Sequence, residues 1–248
     1  MKNNLLEVEG LYKSFGALRA TDGVDLEVLE GETHAVIGPN GAGKTTFIGQ
    51  LAGNLRPDSG RIAFGGEDIT RLPAARRARK GLARSFQITS VYLEFSALDN
   101  VALAVQANQG HSFRFWRPAR ADYRLREPAE KVLEEVGLSS RKGVIAANLS
   151  HGEHRQLEVA MALATAPRLL LLDEPMAGMG PDESQRMIAL LSRLKQTKTI
   201  ILVEHDMDAV FRLADRISVL VYGRVIATGT PEEIRSNAEV RKAYLGED

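Results

Sequence analysis

The 248-residue chain has no cysteine, no net charge and no long hydrophobic run. Without cysteine, disulfides, zinc-thiolate clusters and thiol nucleophiles are all excluded. Thirty-two basic residues balance 32 acidic ones, so the chain lacks the overall field by which a dedicated nucleic-acid binder attracts phosphate backbones. No nucleic acid is expected as a partner. Nowhere does the sequence approach the roughly 18 consecutive apolar residues of a membrane-spanning helix. Its polar, mixed-charge first residues also lack the apolar centre of a secretory signal. These absences predict a cytoplasmic chain whose membrane role is peripheral. What is present is an ordinary globular composition, 44% apolar and 26% charged, in a chain long enough to bury a sizeable core.

Short β-branched apolar runs at 34–38, 169–172, 199–203 and 217–221 read as strands covered on both faces, as in a parallel sheet flanked by helices. At 5–9, 24–28 and 61–64 apolar and polar residues alternate, which predicts a half-exposed antiparallel piece at one side. Between 88 and 165 the strand signals vanish, and helical patterns take over at 97–106, 128–136 and 152–164. In the last of these, Leu157, Ala160, Met161 and Ala164 form one apolar stripe, with Glu153, Arg155 and Glu158 expected to face outward. The order is α/β, interrupted by a helical insertion.

The strongest local signal is Gly38-Pro39-Asn40-Gly41-Ala42-Gly43-Lys44-Thr45, which follows a strand and opens a helix at Thr46. Glycines at Gly38, Gly41 and Gly43 let the backbone turn tightly and aim successive N–H groups, including that of Asn40, at phosphate oxygens. Lys44 adds a full charge for the β- and γ-phosphates, and the Thr45 hydroxyl is a hard oxygen ligand suited to Mg²⁺. Pattern and context point to a nucleoside triphosphate.

Further features follow in an order that resembles the ATP-binding-cassette (ABC) ATPases over nearly the whole chain. Phe15 stands where that family places an aromatic against adenine; packing into the core is the other reading. Gln87, after the strand-like 82–86, matches the glutamine that touches both metal and attacking water. Leu149-Ser150-His151-Gly152-Glu153 stands in place of the family signature, commonly LSGGQ, with His151 and Glu153 as departures. Ser150 and Glu153 also form a capping box, and both readings can hold together. By resemblance, Ser150 and Gly152 grip the γ-phosphate held by an opposite subunit. In Arg168-Leu169-Leu170-Leu171-Leu172-Asp173-Glu174-Pro175, two acids end a buried strand at the sheet edge where ligands bind. The resemblance makes Asp173 a magnesium anchor with Thr45 and Gln87, and Glu174 the group that polarises the attacking water. His205 matches the switch histidine that senses γ-phosphate. Gly180 replaces the Asp usual in the loop that follows the two acids.

The resemblance implies a P-loop NTPase (RecA-like) core with an antiparallel β subdomain and an inserted α-helical subdomain. The core spans 1–87 and 166–248, and the insertion, 88–165, carries the signature. It further implies an ATPase on the inner face of the cell membrane, using ATP and Mg²⁺. Its partners are a second ATPase subunit, identical or closely related, transmembrane permease subunits and, indirectly, a periplasmic or extracellular substrate-binding protein. Residues 66–70, 83–87, 98–101, 173–179 and 243–247 are most similar to the ATPases of branched-chain amino-acid importers. Related systems moving urea, aromatic acids or lipopolysaccharide, and a soluble ABC ATPase outside transport, stand as alternatives. Two basic stretches, 71–84 and the aromatic-rich 111–126, read first as a solvated helix face and an ordered loop, and next as surfaces close to anionic lipid.

Overall fold

A computed structural model describes residues 3–85, 91–109 and 122–245. Four strands, β1 (Asn4–Phe15), β2 (Leu18–Leu29), β4 (Ser59–Phe64) and β5 (Glu67–Asp68), form an antiparallel sheet in the order β2-β1-β4-β5. The second sheet contains β3 (Thr33–Ile37), β6 (Leu82–Arg84), β7 (Leu169–Asp173), β8 (Thr199–Val203), β9 (Arg216–Val221) and β10 (Arg224–Gly229), in the order β10-β9-β3-β8-β7-β6. Its pairings are parallel except for the edge strand β10. The expected largely parallel sheet with an antiparallel companion is therefore present.

Nine α-helices occur among the described residues: α1 (Lys44–Ala52), α2 (Ala74–Arg79), α3 (Ala97–Gln109), α4 (Tyr123–Glu135), α5 (His151–Leu163), α6 (Pro181–Leu194), α7 (Met207–Leu213), α8 (Pro231–Ser236) and α9 (Ala238–Leu245). None is long and apolar enough to cross a membrane. The central strands bury both faces. Leu170, Leu172, Ile200 and Leu202 pack with α3 to α6. Leu169, Leu171, Ile201 and Val203 pack with Phe47, Ile48 and Leu51 of α1 and with the antiparallel sheet. This two-sided burial is why β7 and β8 read as unbroken apolar runs.

Several boundaries differ from the sequence reading. Strands β1 and β2 run 12 residues each, because register shifts around Gly10 interrupt the alternation without ending the pairing. Helix α4 begins at Tyr123, not at Pro128: Asp122 caps it by accepting from the Arg124 N–H, and Pro128 lies inside. The proline removes only one ladder donor, while Leu125, Ala129 and Leu133 keep the helix on the core at i, i+4, i+8. Glu158 does not face outward. It is buried, and Arg155 Nη1 donates to it at 2.9 Å. The 71–84 stretch is likewise not wholly a solvated face. The Arg77 side chain is buried and donates to the carbonyls of Gln50, Leu51, Leu72 and Thr70 at 2.7–3.0 Å. Of the aromatic-rich stretch, residues 111–121 lie outside the described residues, and Tyr123 is exposed.

Candidate active site

Strand β3 delivers the phosphate loop and α1 receives it. Gly41 and Gly43 have φ of +81° and +102°, a left-handed region that side chains rarely adopt. A Cβ at Gly43 would stand 2.0 Å from the Ala20 carbonyl, and one at Gly38 would stand 2.1 Å from the Leu220 carbonyl. The turn after β9 braces the loop from below through the Gly223 N–H, which donates to Ala42 O at 2.9 Å. Asn40, Gly41 and Thr45 lie on the exposed side and Thr46 is half-buried. Gly43 starts α1 without a side-chain cap, so the first N–H groups of the helix remain available to an anion.

Lys44 turns back over this loop, its Nζ 2.5 Å from Gly38 O and 3.1 Å from Pro39 O. Burial lowers its pKa, while the nearby charges of Glu174 and Asp173 pull it back up. The lysine therefore sits short of compensating anions at a place built to accept them.

The two acids at the end of β7 have different surroundings. Asp173 is buried, and Arg84 Nη2 donates to its Oδ2 at 2.8 Å. Glu174 is 40% exposed at its side chain and has φ of +48°. That conformation is strained for a non-glycine residue, and the Glu174 N–H donating to Val203 O at 2.9 Å holds it. His205 Nδ1 lies 4.0 Å from Glu174 Oε1 and 3.8 Å from Glu204 Oε2. Thus Lys44, Asp173, Glu174 and His205 converge at one sheet edge. Phe15, at the end of β1, is 50% exposed and does not pack into the core; Lys13 Nζ lies 5.6 Å from its ring centre. Gln87 lies outside the described residues.

Ser150 and Gly152 stand apart from this group. Ser150 caps α5 in the expected capping box with Glu153. No hydrogen bond among the described residues ties either one to the phosphate loop; both meet Glu183 on α6, at 3.2 Å. His151 Nε2 donates to Ala177 O at 3.0 Å. Gly180 is extended and begins α6, with Pro181 at its first position.

Three residues of this region carried no site signal in the sequence. Arg84 pairs with Asp173. Glu183 contacts the signature. Glu204, buried at the end of β8, accepts from the Met176 N–H at 3.0 Å and the His205 N–H at 3.2 Å. Burial raises the Glu204 carboxyl, and the charge of Glu174 adds to this against the two backbone donors and His205. A charged residue after an apolar strand is the only trace that any of these leaves in the sequence.

Comparison with known proteins gives this geometry a family. Residues 21–177 match the model of the ABC transporter family, and 224–248 match that of the branched-chain amino acid ATP-binding cassette transporters. Two high-affinity branched-chain amino acid transport ATP-binding proteins align over their full length and all of this chain: BraF of Pseudomonas aeruginosa at 42% identity and LivG of Escherichia coli at 39%. The lipopolysaccharide export ATP-binding protein LptB of Haemophilus influenzae is 31% identical over 98% of both chains. An ATP-binding cassette solved in its ADP conformation superposes with a TM-score of 0.87 at 31% identity, covering 99% of this chain and all of that one. A dimeric cassette bound to ADP and Pi shares the fold, with a TM-score of 0.77 at 22% identity over 91% of this chain and 98% of that one. The chain belongs to the ABC transporter family, as an ATPase subunit closely related to the ATP-binding proteins of branched-chain amino-acid import.

Proposed function

We propose that two copies of the chain, or one copy and a close relative, close over ATP so that each completes the other's active site and drives permease subunits importing branched-chain or other amino acids. Full-length identity favours this cargo over lipopolysaccharide. One observation carries the hydrolytic reading: Glu174, strained and partly exposed, faces His205 beside Lys44, while Ser150 and Gly152 lie elsewhere with donors suited to an anion. A single subunit therefore presents two half-sites.

Within this reading the exposed Phe15 stacks on adenine. The uncapped start of α1 and Lys44 hold the phosphates. Mg²⁺ fits the chemistry of the donors present, the Asp173 carboxylate, which Arg84 engages through Oδ2, and the hydroxyl of the exposed Thr45. Thr45, Gln87 and Asp173 would hold the ion, which offsets charge on the β- and γ-oxygens when bound. Glu174 accepts a hydrogen bond from the attacking water and polarises it, and His205, its Nδ1 4.0 Å from Glu174 Oε1, senses the γ-phosphate.

We read 88–165 as the inserted helical subdomain and 1–87 with 166–248 as the core. Along that division lies an apolar groove of about 670 Å³, lined by Ala75 and Ala78 of α2, Leu82 of β6, Ala104 and Ala107 of α3, and Met161 of α5. Small side chains admit a helix closely, and we assign the groove to a cytoplasmic helix of the permease, which places the chain peripherally on the inner face of the membrane.

Glu174→Gln tests the hydrolytic reading. It should bind Mg-ATP, lose at least about 100-fold in turnover and accumulate a nucleotide-bound dimer on gel filtration. Near-normal turnover would remove Glu174 from its role.

A further inference from the structure

The donors assigned to the opposite subunit's γ-phosphate are already engaged within the chain. The Ser150 hydroxyl lies 3.2 Å from Glu183 Oε1, and the Gly152 N–H donates to that same oxygen at 3.2 Å. The approach is close. A Cβ on residue 152 would stand 2.7 Å from Glu183 Cδ, so any other residue there would push this carboxylate from its place. Glu183 sits in the first turn of α6, whose start is fixed by Gly180 and Pro181. The segment leading into α6 is tied to α5 by a second contact, from His151 Nε2 to Ala177 O at 3.0 Å. There Gly178, at φ +75°, lies so near the imidazole that a Cβ would be 3.0 Å from Nε2.

To a hydroxyl and a backbone N–H at the start of a helix, a carboxylate oxygen and a phosphoryl oxygen offer the same chemistry: an anionic acceptor at the positive end of the helix dipole. The two cannot be held together, because the donors serve one oxygen at a time and like charges in contact repel.

We propose that Glu183 is an internal stand-in for the γ-phosphate: it occupies the signature half-site until the triphosphate carried by an opposing subunit displaces it, and so sets the ATP concentration at which two subunits close. This rests on the reading that Ser150 and Gly152 act on nucleotide bound by the other subunit. In the open subunit both donors are satisfied, so none is left unpaired while it waits for a partner. Closure then exchanges one anion for another on the same donors, and the charge of Glu183 opposes any approaching phosphate too weakly bound to complete the exchange. ADP, lacking the third phosphate, offers no replacement oxygen.

The test is made in the Glu174→Gln protein, by sedimentation velocity across a titration of Mg-ATP. Adding Glu183→Ala should lower the ATP concentration for half-maximal dimer by about tenfold, the worth of a charged hydrogen-bonded competitor. Glu183→Gln, which keeps the size and one acceptor oxygen but not the charge, should fall between. Mg-ADP should leave every form monomeric, and calorimetry should show unchanged ATP affinity for the monomer. A midpoint that is unchanged or raised by Glu183→Ala overturns the proposal, as does a Glu183→Ala dimer equally populated with ADP. Ser150→Ala in the same background separates the underlying reading: if it leaves the dimer midpoint where it was, the trans role of the signature fails and the stand-in falls with it. If Ser150→Ala weakens the dimer but Glu183→Ala does not strengthen it, only the role of Glu183 is lost.

Discussion

Glu204 carries two loads at once. Its oxygens fix the backbone at Met176 and at His205, the two segments flanking the groups proposed to act on water, yet burial makes its charge unfavourable. A carboxyl whose pKa is raised on folding stabilises the fold fully only below its unfolded value, and that advantage is lost as pH rises through the folded one. Glu204→Gln stays neutral throughout and keeps an acceptor for the Met176 N–H. Its urea-unfolding free energy relative to the parent should therefore improve as pH rises above the ordinary carboxyl range, while turnover drops roughly tenfold as the His205 N–H loses its acceptor and the site loosens. A stability difference that stays flat with pH would contradict this account of Glu204. In the sequence, Lys44 and Thr45 were legible because phosphate binding needs contiguous residues with a fixed spacing. Glu204, Arg84 and Glu183 were not, because their partners lie 28, 89 and 31 residues away and meet only once the sheet has formed.

At the scale of elements, Arg77 explains why α2 packs where it does. Its guanidinium, brought down to about 10 by burial, takes the Gln50 and Leu51 carbonyls near the end of α1 together with two from the 70–72 turn. Leu51 O is an orphan acceptor of the kind expected at a helix C-terminus, whereas Gln50 O also accepts from the Gly53 N–H at 3.2 Å. At about 1 kcal/mol or more for each carbonyl left without its donor, Arg77→Ala should cost about 3 kcal/mol in denaturant unfolding. Arg77→Lys should recover only part of this, since an ammonium cannot span the fork. If both variants unfold with the parent, the guanidinium is not what holds α1 to α2. A run of cations without acids gave no hint that one of them points inward. Composition reports the sign of the charges and nothing of their direction. Pro128 misled in the opposite way: read as a helix start, it is tolerated inside α4 because Asp122 supplies the cap and three apolar residues the anchorage.

Over the whole molecule, α3, α4 and α5 share a continuous apolar core with Leu170, Leu172, Ile200 and Leu202, so among the described residues the proposed insertion has no separate core of its own. The groove at this junction is the place to interrupt coupling without touching chemistry. Ala104→Glu should leave the ATP turnover of the isolated chain near the parent rate, yet abolish co-purification with membrane subunits. Retained co-purification would place the permease elsewhere. The alternation of helices with apolar strands made this architecture legible, but the groove was not. It is a gap between α1, α2, α3 and α5, and a gap has no residues of its own to read.

Two walls of the molecule thus share a single rivet. The last turn of the nucleotide helix and the helix lining the groove are pinned to one flat cation. A tilt of the first should be handed to the second through these bonds. On the proposed assignment of the groove, the part that grips fuel and the part that faces the machinery outside would then act as a single lever.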